Sequence, residues 1–212
     1  MADPRVAAIP VRECGEPLVD IRSGPAALLV DGRRSDPDGA FAHLRQHVRD
    51  QLLEAQRQLP EGLSLLVVEG YRPPALQQKY FEQYTHSLRV LHPDWPPQDV
   101  RTAASRYVSP PEIAPHSAGA AVDLTLVDAS GRELDMGTAM NANPEDSQGA
   151  CYTDAPNISA TARSNRAELT SSMTGAGFVN YRTEWWHFSL GDRYWALLKG
   201  HPAALYGPKS WT

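Results

Sequence analysis

The sequence has few cysteines, no long apolar run and no basic cluster. Its two cysteines, Cys14 and Cys151, are too few and too far apart for a disulfide framework or a cysteine-based metal site. We expect inert thiols, with a single bridge as the alternative. No apolar run reaches about 18 residues, and the first residues lack the apolar core of a secretion signal. We therefore expect a cytoplasmic protein that does not enter a membrane.

The charge composition argues against a further class of partner. The chain of 212 residues has a net charge of -5, and its lysines and arginines form no cluster. Binding to nucleic acid or to an anionic membrane relies on such basic clusters, so we expect neither partner. With 42% hydrophobic residues the chain can bury a core, and we predict one domain over residues 1–212.

Hydrophobic periodicity and chain breakers predict a mixture of helices and strands. Residues 1–40 are rich in proline, glycine and aspartate, which is typical of irregular structure. The spacing of apolar residues predicts helices over 41–59, 74–91, 97–107 and 163–174, and strands over 63–69, 122–126, 178–181 and 185–190. A polar stretch, residues 129–162, predicts a long loop that borders an active site. Together these elements predict an α+β fold with a central antiparallel sheet flanked by helices.

Three short stretches bring imidazole, carboxylate and guanidinium groups into apolar sequence. They are Glu69-Gly70-Tyr71-Arg72-Pro73, His116-Ser117-Ala118-Gly119-Ala120-Ala121-Val122-Asp123 and Glu184-Trp185-Trp186-His187. A catalytic zinc site needs three nitrogen or oxygen ligands, an open position for water and a carboxylate base that does not bind the metal. The residues that fit this count are His116, Asp123, His187 and Glu184.

Each of these residues also has a structural interpretation. A single histidine is more often a surface or core residue than a ligand, but His116 and Asp123 are separated by a flexible glycine turn that lets them converge on one ion. A buried Asp123 between valine and leucine is costly unless it is paired or bound to metal, which favours the metal interpretation.

The second histidine motif and the arginine leave more alternatives open. Strict strand alternation would place Glu184 and His187 on opposite faces, so their cooperation requires a bend between them. Alternatively, the neighbouring tryptophans form core and the polar residues are solvated. Arg72 could equally be the surface ion-pair partner of Glu69.

The segment from Ala114 to Asp123 resembles the S-x-H-x-x-G-x-A-x-D motif of the VanX-type D-alanyl-D-alanine dipeptidases and related D,D-carboxypeptidases, a family of zinc peptidases. Only the leading serine differs, and the resemblance extends over residues 63–190. It implies that zinc is bound by His116, Asp123 and His187 in a cleft on the sheet. It further implies two catalytic residues, the base Glu184 and the charge-stabilising Arg72, and a substrate-binding position at Asn141. Tyr71 is a further candidate substrate-binding residue, because it lies with Arg72 in the predicted strand-to-helix turn, where a side chain can face a cleft.

The resemblance implies metal-assisted hydrolysis of a short peptide that contains D-amino acids, with D-Ala-D-Ala as the first candidate. In such dipeptidases an aspartate after Met-Gly helps to hold the substrate ammonium, whereas the aligned residue here is Asn141. Glu69 also replaces the more usual aspartate. Because a neutral residue loses a charge-assisted hydrogen bond to the ammonium, a longer or modified peptide is an alternative substrate.

The sequence leaves other functions open. The alternatives within enzymes are a cell-wall carboxypeptidase and a tailoring hydrolase that acts on another small amide. A zinc-bearing binding protein without turnover is the alternative outside enzymes. A pure binding site has no need of a free base, so the presence of Glu184 beside a complete ligand set argues against that last alternative.

Overall fold

The fold is built on a five-stranded sheet. The computed structural model describes residues 1, 3–24, 27–34, 36 and 38–211. The strands are β1 (Leu18–Asp20), β2 (Leu29–Val30), β3 (His43–Arg45), β4 (Ser64–Glu69), β5 (Ala121–Val127), β6 (Val179–Asn180) and β7 (His187–Ser189). The helices are α1 (Pro4–Ala8), α2 (Gln46–Gln58), α3 (Pro74–Leu91), α4 (Pro97–Tyr107), α5 (Ala160–Gly175) and α6 (Arg193–Lys199). Among the described residues, no helix is both long and apolar enough to cross a membrane.

The sheet is mainly antiparallel, in the strand order β2-β4-β5-β7-β6. The pairs β4/β5, β5/β7 and β6/β7 are antiparallel, whereas the edge strand β2 runs parallel to β4. A separate antiparallel pair joins β1 to β3. The predicted α+β class with a sheet flanked by helices is therefore confirmed, with one parallel edge that the prediction did not include.

The central strand β5 separates the apolar core from the polar site. All seven of its residues are buried, so both faces of the strand are covered. Its core-facing side chains pack with residues of α2 and α5, and this cluster includes Val48, Leu52, Val122, Leu124, Leu126, Leu169 and Met173. Because side chains alternate along a strand, Asp123 and Thr125 lie on the opposite face. A carboxylate is thereby held on a rigid strand without interrupting the core.

The predicted helix over 41–59 begins later than expected, at Gln46. Phe41 lies in a 3₁₀ turn and Leu44 lies in β3, because backbone pairing with β1 holds this segment extended. Residues 1–40 are less irregular than predicted, since they contain α1, β1 and β2. Helix α6 was not predicted. Cys14 and Cys151 are both free thiols, so no disulfide bond joins these two residues.

Helix α3 has the predicted bounds but buries a different face. Its apolar stripe at Leu76, Tyr80, Tyr84, Leu88 and Leu91 is not fully buried, and the buried residues are Gln77, Phe81 and Thr85. This face packs near α4 and its following turn, so the tyrosines of the stripe are left beside an open cleft. Tyr80 and Tyr84 of the stripe therefore contribute to a cleft wall rather than to the core.

A close backbone contact at Gly70 holds the strand end before α3. Its amide donates to the Phe41 carbonyl at 2.7 Å, and a Cβ here would lie 2.6 Å from the His43 carbonyl oxygen. We expect Gly70→Ala to lower the free energy of unfolding in urea by about 1–3 kcal/mol, because backbone atoms would have to move. Gly32→Ala is the matched control, since no atom of the described residues, apart from its chain neighbours, lies within 4 Å of its Cβ, and the change should stay within about 1 kcal/mol. Equal effects of the two substitutions would show that the close contact at Gly70 does not constrain the chain.

Candidate metal centre and active site

Two histidines and one aspartate direct their ligand atoms at a single point. Nε2 of His116 lies 3.2 Å from Nδ1 of His187 and 3.3 Å from Oδ1 of Asp123, and the last two atoms are 3.0 Å apart. A tetrahedral metal with ligands at about 2.0–2.2 Å has ligand atoms about 3.3–3.6 Å apart, which is close to this triangle. All three side chains are buried. They form a group that could hold a metal ion.

The hydrogen bonding of the histidines fits a metal better than a purely structural cluster. Nδ1 of His116 lies 2.7 Å from the Gly70 carbonyl, which can only accept, so Nδ1 carries the proton and Nε2 of the neutral ring is an acceptor. This Nε2 faces a carboxylate oxygen of Asp123, which is also an acceptor. Two imidazoles and one carboxylate that converge in this way are a ligand set suited to zinc.

Burial and charge set the protonation of this group. Burial lowers the pKa of His116 to about 4, so the ring is neutral and its lone pair is available at neutral pH. Burial by itself would raise the pKa of Asp123, but the two histidines hold it well below its usual range. The aspartate is therefore ionised, as a metal ligand must be.

Local backbone structure explains why the three residues meet. His116 opens a 3₁₀ turn that ends at Gly119, whose φ of 65° is in the left-handed region. The chain then enters β5, where Asp123 is directly opposite His187 in the β5/β7 register. Arg45 is buried and donates from Nε to the Ala118 carbonyl at 2.8 Å, which fixes the turn between the two ligands.

Glu184 lies beside this group without belonging to it. Its Oε2 is 3.8 Å from Nδ1 of His187, and its side chain is 14% exposed. The bend that the sequence required is present, because the His187 amide donates to the Glu184 carbonyl at 3.3 Å and β7 begins only at His187. Asn180 donates from Nδ2 to the carbonyls of both residues. Burial raises the pKa of Glu184 to about 7, which suits a group that gains and loses a proton.

Arg72 forms the ion pair that was its structural alternative, but the pair is inside the protein. Its Nε bonds Oε1 of Glu69 at 2.5 Å and its Nη1 bonds Gln77 at 2.9 Å. Glu69 is completely buried and the Arg72 side chain is 13% exposed, so this is not a surface pair. The guanidinium also lies 5.1 Å from the centre of the Tyr80 ring. It is thus fixed in place while it remains on the wall of the cleft.

The cleft over these residues has a volume of about 580 Å³. Its floor includes His116, Asp123, Glu184, Trp186 and His187, and its walls include Arg34, Arg72, Tyr80, Tyr84, Tyr107 and Asn141. Asn141 has a φ of 62°, and its carbonyl accepts a hydrogen bond from the Tyr107 hydroxyl at 2.8 Å. The loop that carries it therefore does border the cleft.

Tyr71 is the predicted site residue that is placed elsewhere. It is fully buried, its hydroxyl donates to the Lys209 carbonyl, and its ring stacks on Trp211 at 5.5 Å between centroids. Within the described residues, Tyr71 does not belong to the cleft lining. This placement favours a structural role, in which Tyr71 holds the segment around Lys209 and Trp211, over contact with substrate.

Sequence reasoning assigned no role to the arginine that holds the loop beside the site. Arg166 is buried in α5 and donates to three loop carbonyls, those of Met136, Ala150 and Tyr152, at 2.7–2.8 Å. Its guanidinium also lies 5.6 Å from the centre of a Trp185 ring. An isolated arginine in a helical pattern carries no signal of such a role, because its partners are distant in sequence.

The geometry of the site defines the class of the protein. A divalent-metal ligand set that leaves a cleft open above it, with a separate carboxylate of raised pKa at its edge, is the arrangement of a metallopeptidase. The chain belongs to the D-ala-D-ala dipeptidase family of peptidases, whose family profile matches residues 30–202.

Two individual relatives agree with this assignment. The chain is 32% identical over 216 residues to a D-alanyl-D-alanine dipeptidase of Synechocystis, a match that covers 89% of this chain and 87% of the relative. It is 33% identical over 129 residues to a D-alanyl-D-alanine dipeptidase of Escherichia coli, which covers 61% of this chain and 56% of the relative. The solved structure of the LD-carboxypeptidase LdcB aligns over 89% of this chain and 76% of its own, with 18% identity and a TM-score of 0.49.

The role of Tyr71 can be tested by removing its hydroxyl. We expect Tyr71→Phe to lower the free energy of unfolding by about 0.5–1.5 kcal/mol, because the hydrogen bond to Lys209 is lost, and to leave KM unchanged. Tyr152→Phe is the control, since Tyr152 is an exposed tyrosine. Denaturant unfolding and steady-state kinetics measure the two effects. A raised KM with unchanged stability would show that the Tyr71 hydroxyl contacts substrate after all.

Proposed function

We propose that this protein hydrolyses a short peptide containing D-amino acids in a zinc-dependent reaction, with D-Ala-D-Ala as the leading substrate. The observation that carries the proposal is the buried Glu184 carboxylate, 3.8 Å from a converging His-Asp-His group but outside it. A binding protein would not need this free base. The names of the relatives from Synechocystis and Escherichia coli support the same substrate.

The metal ligands in this proposal are His116, Asp123 and His187. Zinc, when bound there, supplies Lewis-acid polarisation of the scissile carbonyl and lowers the pKa of a water molecule. The neutral ring of His116 is oriented for this role by the hydrogen bond from its Nδ1 to Gly70. The ionised Asp123 adds a negative charge that favours a divalent cation.

Glu184 is the proton carrier. Its carboxylate accepts a proton from the attacking water and delivers it to the nitrogen of the leaving amine. Its position on a bend held by Asn180 keeps Oε2 near the ligand group without joining it. The low exposure of the side chain limits competing water, which strengthens its interaction with the reacting atoms.

Arg72 stabilises the negative charge that develops on the carbonyl oxygen. A guanidinium is permanently charged and planar, and Glu69 and Gln77 fix this one at two of its nitrogens. A donor that is already in place costs no reorganisation when the charge appears. The ion pair with Glu69 is thus part of the catalytic arrangement rather than an alternative to it.

A longer or N-acylated peptide is the second candidate substrate, as a cell-wall carboxypeptidase would use. Two observations favour it. The cleft volume of about 580 Å³ is typical of sites for larger ligands and exceeds what two alanines fill. Asn141 on the wall is neutral and can hydrogen-bond an amide as readily as an ammonium.

We further propose that the chain acts as one domain, because one core cluster extends from Ile21 to Tyr206. The cytoplasmic location remains a prediction of the sequence, as does the expectation that neither nucleic acid nor a membrane is a partner.

The test of the proposed function is hydrolysis by the zinc-loaded protein and its Glu184→Gln variant. We expect wild-type protein to cleave D-Ala-D-Ala, and the variant to keep its zinc while turnover falls on the order of 10²-fold or more, because general base catalysis contributes at least this much. Mass spectrometry scores D-Ala-D-Ala, its N-acetyl form and a longer stem peptide side by side, and elemental analysis scores zinc.

Glu61→Gln is the matched control, since Glu61 is an exposed glutamate outside the cleft lining. Preference for the acylated or longer peptide would favour the carboxypeptidase alternative. Near-normal turnover by a zinc-loaded Glu184→Gln protein would remove Glu184 from the mechanism, and no cleavage of any member of the panel would contradict the proposed function.

A further inference from the structure

A second guanidinium, that of Arg34, lies in the cleft, and the proposed mechanism gives it no role. Arg34 lines the cleft and forms an ion pair with Oε2 of Glu69, whereas Arg72 bonds Oε1 of the same carboxylate. Glu69 therefore lies between two arginines. Arg34 follows β2 in a segment that the sequence predicted to be irregular, so its proximity to the active site could not be expected from its position in the chain.

The charges around Glu69 do not balance. One guanidinium neutralises one buried carboxylate, and Arg72 already does so, with its Nε 2.5 Å from Oε1 of Glu69. Arg34 adds a second positive charge, so this wall of the cleft carries a net charge of one positive unit. This excess positive charge on the Arg34-Glu69-Arg72 side of the cleft wall attracts an anionic group of a substrate.

Arg34 is also held more firmly than a surface arginine. Its guanidinium carbon lies 5.2 Å from the centre of the Phe41 ring and 5.8 Å from that of Tyr80, and its side chain is 24% exposed. The Tyr80 hydroxyl accepts a hydrogen bond from Nη2 at 3.4 Å. A guanidinium fixed between aromatic rings loses little entropy when it binds a carboxylate in two-point fashion.

We propose that Arg34 binds the free α-carboxylate of the substrate residue that leaves after hydrolysis. This inference rests on the proposed function, because it assumes a peptide cleaved next to its carboxyl end. In an extended peptide the scissile carbonyl and the terminal carboxylate are one residue apart, about 3.3–3.6 Å along the chain. Two guanidiniums on opposite oxygens of Glu69 are neighbours that can serve these two groups, with Arg72 on the carbonyl oxygen and Arg34 on the carboxylate.

Another arginine of the cleft is a competitor for this role. Arg106 lines the cleft from α4, but it is exposed. Within the described part of the chain, its only hydrogen bond to another cleft side chain is made by its backbone carbonyl, which accepts from the Tyr181 hydroxyl. Arg33, which is next to Arg34 in sequence, pairs instead with Asp31 and Glu133 and does not line the cleft. These two residues supply a competitor variant and a matched control.

The experiment compares D-Ala-D-Ala with its C-terminal amide, which lacks the negative charge. We expect wild-type protein to prefer the free acid, and Arg34→Gln to lower kcat/KM for the acid by about 10- to 100-fold while kcat/KM for the amide stays unchanged, because a charge-assisted hydrogen bond is lost. Arg34→Lys keeps the charge without the planar fork and should give an intermediate preference. Arg33→Gln should behave as wild type.

Equilibrium binding of the acid and the amide to the same zinc-loaded proteins, measured by calorimetry, keeps the test independent of turnover. If wild-type protein cleaves neither peptide but binds the acid more tightly, and Arg34→Gln removes that difference, the proposed function fails and the carboxylate site stands. If Arg34→Gln retains the full preference for the acid, or if Arg106→Gln removes that preference instead, Arg34 does not bind the carboxylate. Equal binding of acid and amide by wild-type protein would also overturn the proposal, as would binding of neither.

Discussion

The buried carboxylate of Asp123 is the constraint on which the rest of the site depends. It is carried by a strand that is covered on both faces, where an unpaired charge would be very costly. The structure meets that cost with His116 and His187, which converge on the same oxygen, and the β5/β7 register places His187 directly opposite. The glycine turn at Gly119 returns His116 to the same point. The strand pairing, the turn and the ligand geometry thus act together to compensate one buried charge.

Around this group, buried arginines fix segments that have no regular structure. Backbone carbonyls in loops need hydrogen-bond donors when they are buried, and a guanidinium supplies up to five. Arg45 binds the turn that follows His116, and Arg166 binds the loop that leads from β5 to α5. The site is thus preorganised by long-range side-chain contacts in places where helices and strands do not reach.

The sequence predicted the parts of this arrangement that local pattern can encode. The alternation along β5 predicted that Asp123 lies on the face opposite the core. The glycine turn between His116 and Asp123 predicted that these two side chains converge. The pattern failed where distant segments decide the outcome. The start of α2 was placed too early because the pairing of β3 with β1 is not a local feature, and the tyrosines of α3 line a cleft that only the packed fold creates. Tyr71 is buried by Lys209 and Trp211, which lie far along the chain.

The central claim is that His116, Asp123 and His187 together bind one metal ion. X-ray absorption spectroscopy of the zinc-loaded protein tests it most directly, with His187→Ala as the comparison. The account predicts nitrogen and oxygen scatterers at about 2.0–2.2 Å, with the multiple scattering of two imidazoles in wild-type protein and of one or none in the variant. Sulfur at about 2.3 Å, no imidazole signal, or the same spectrum from both proteins would contradict it.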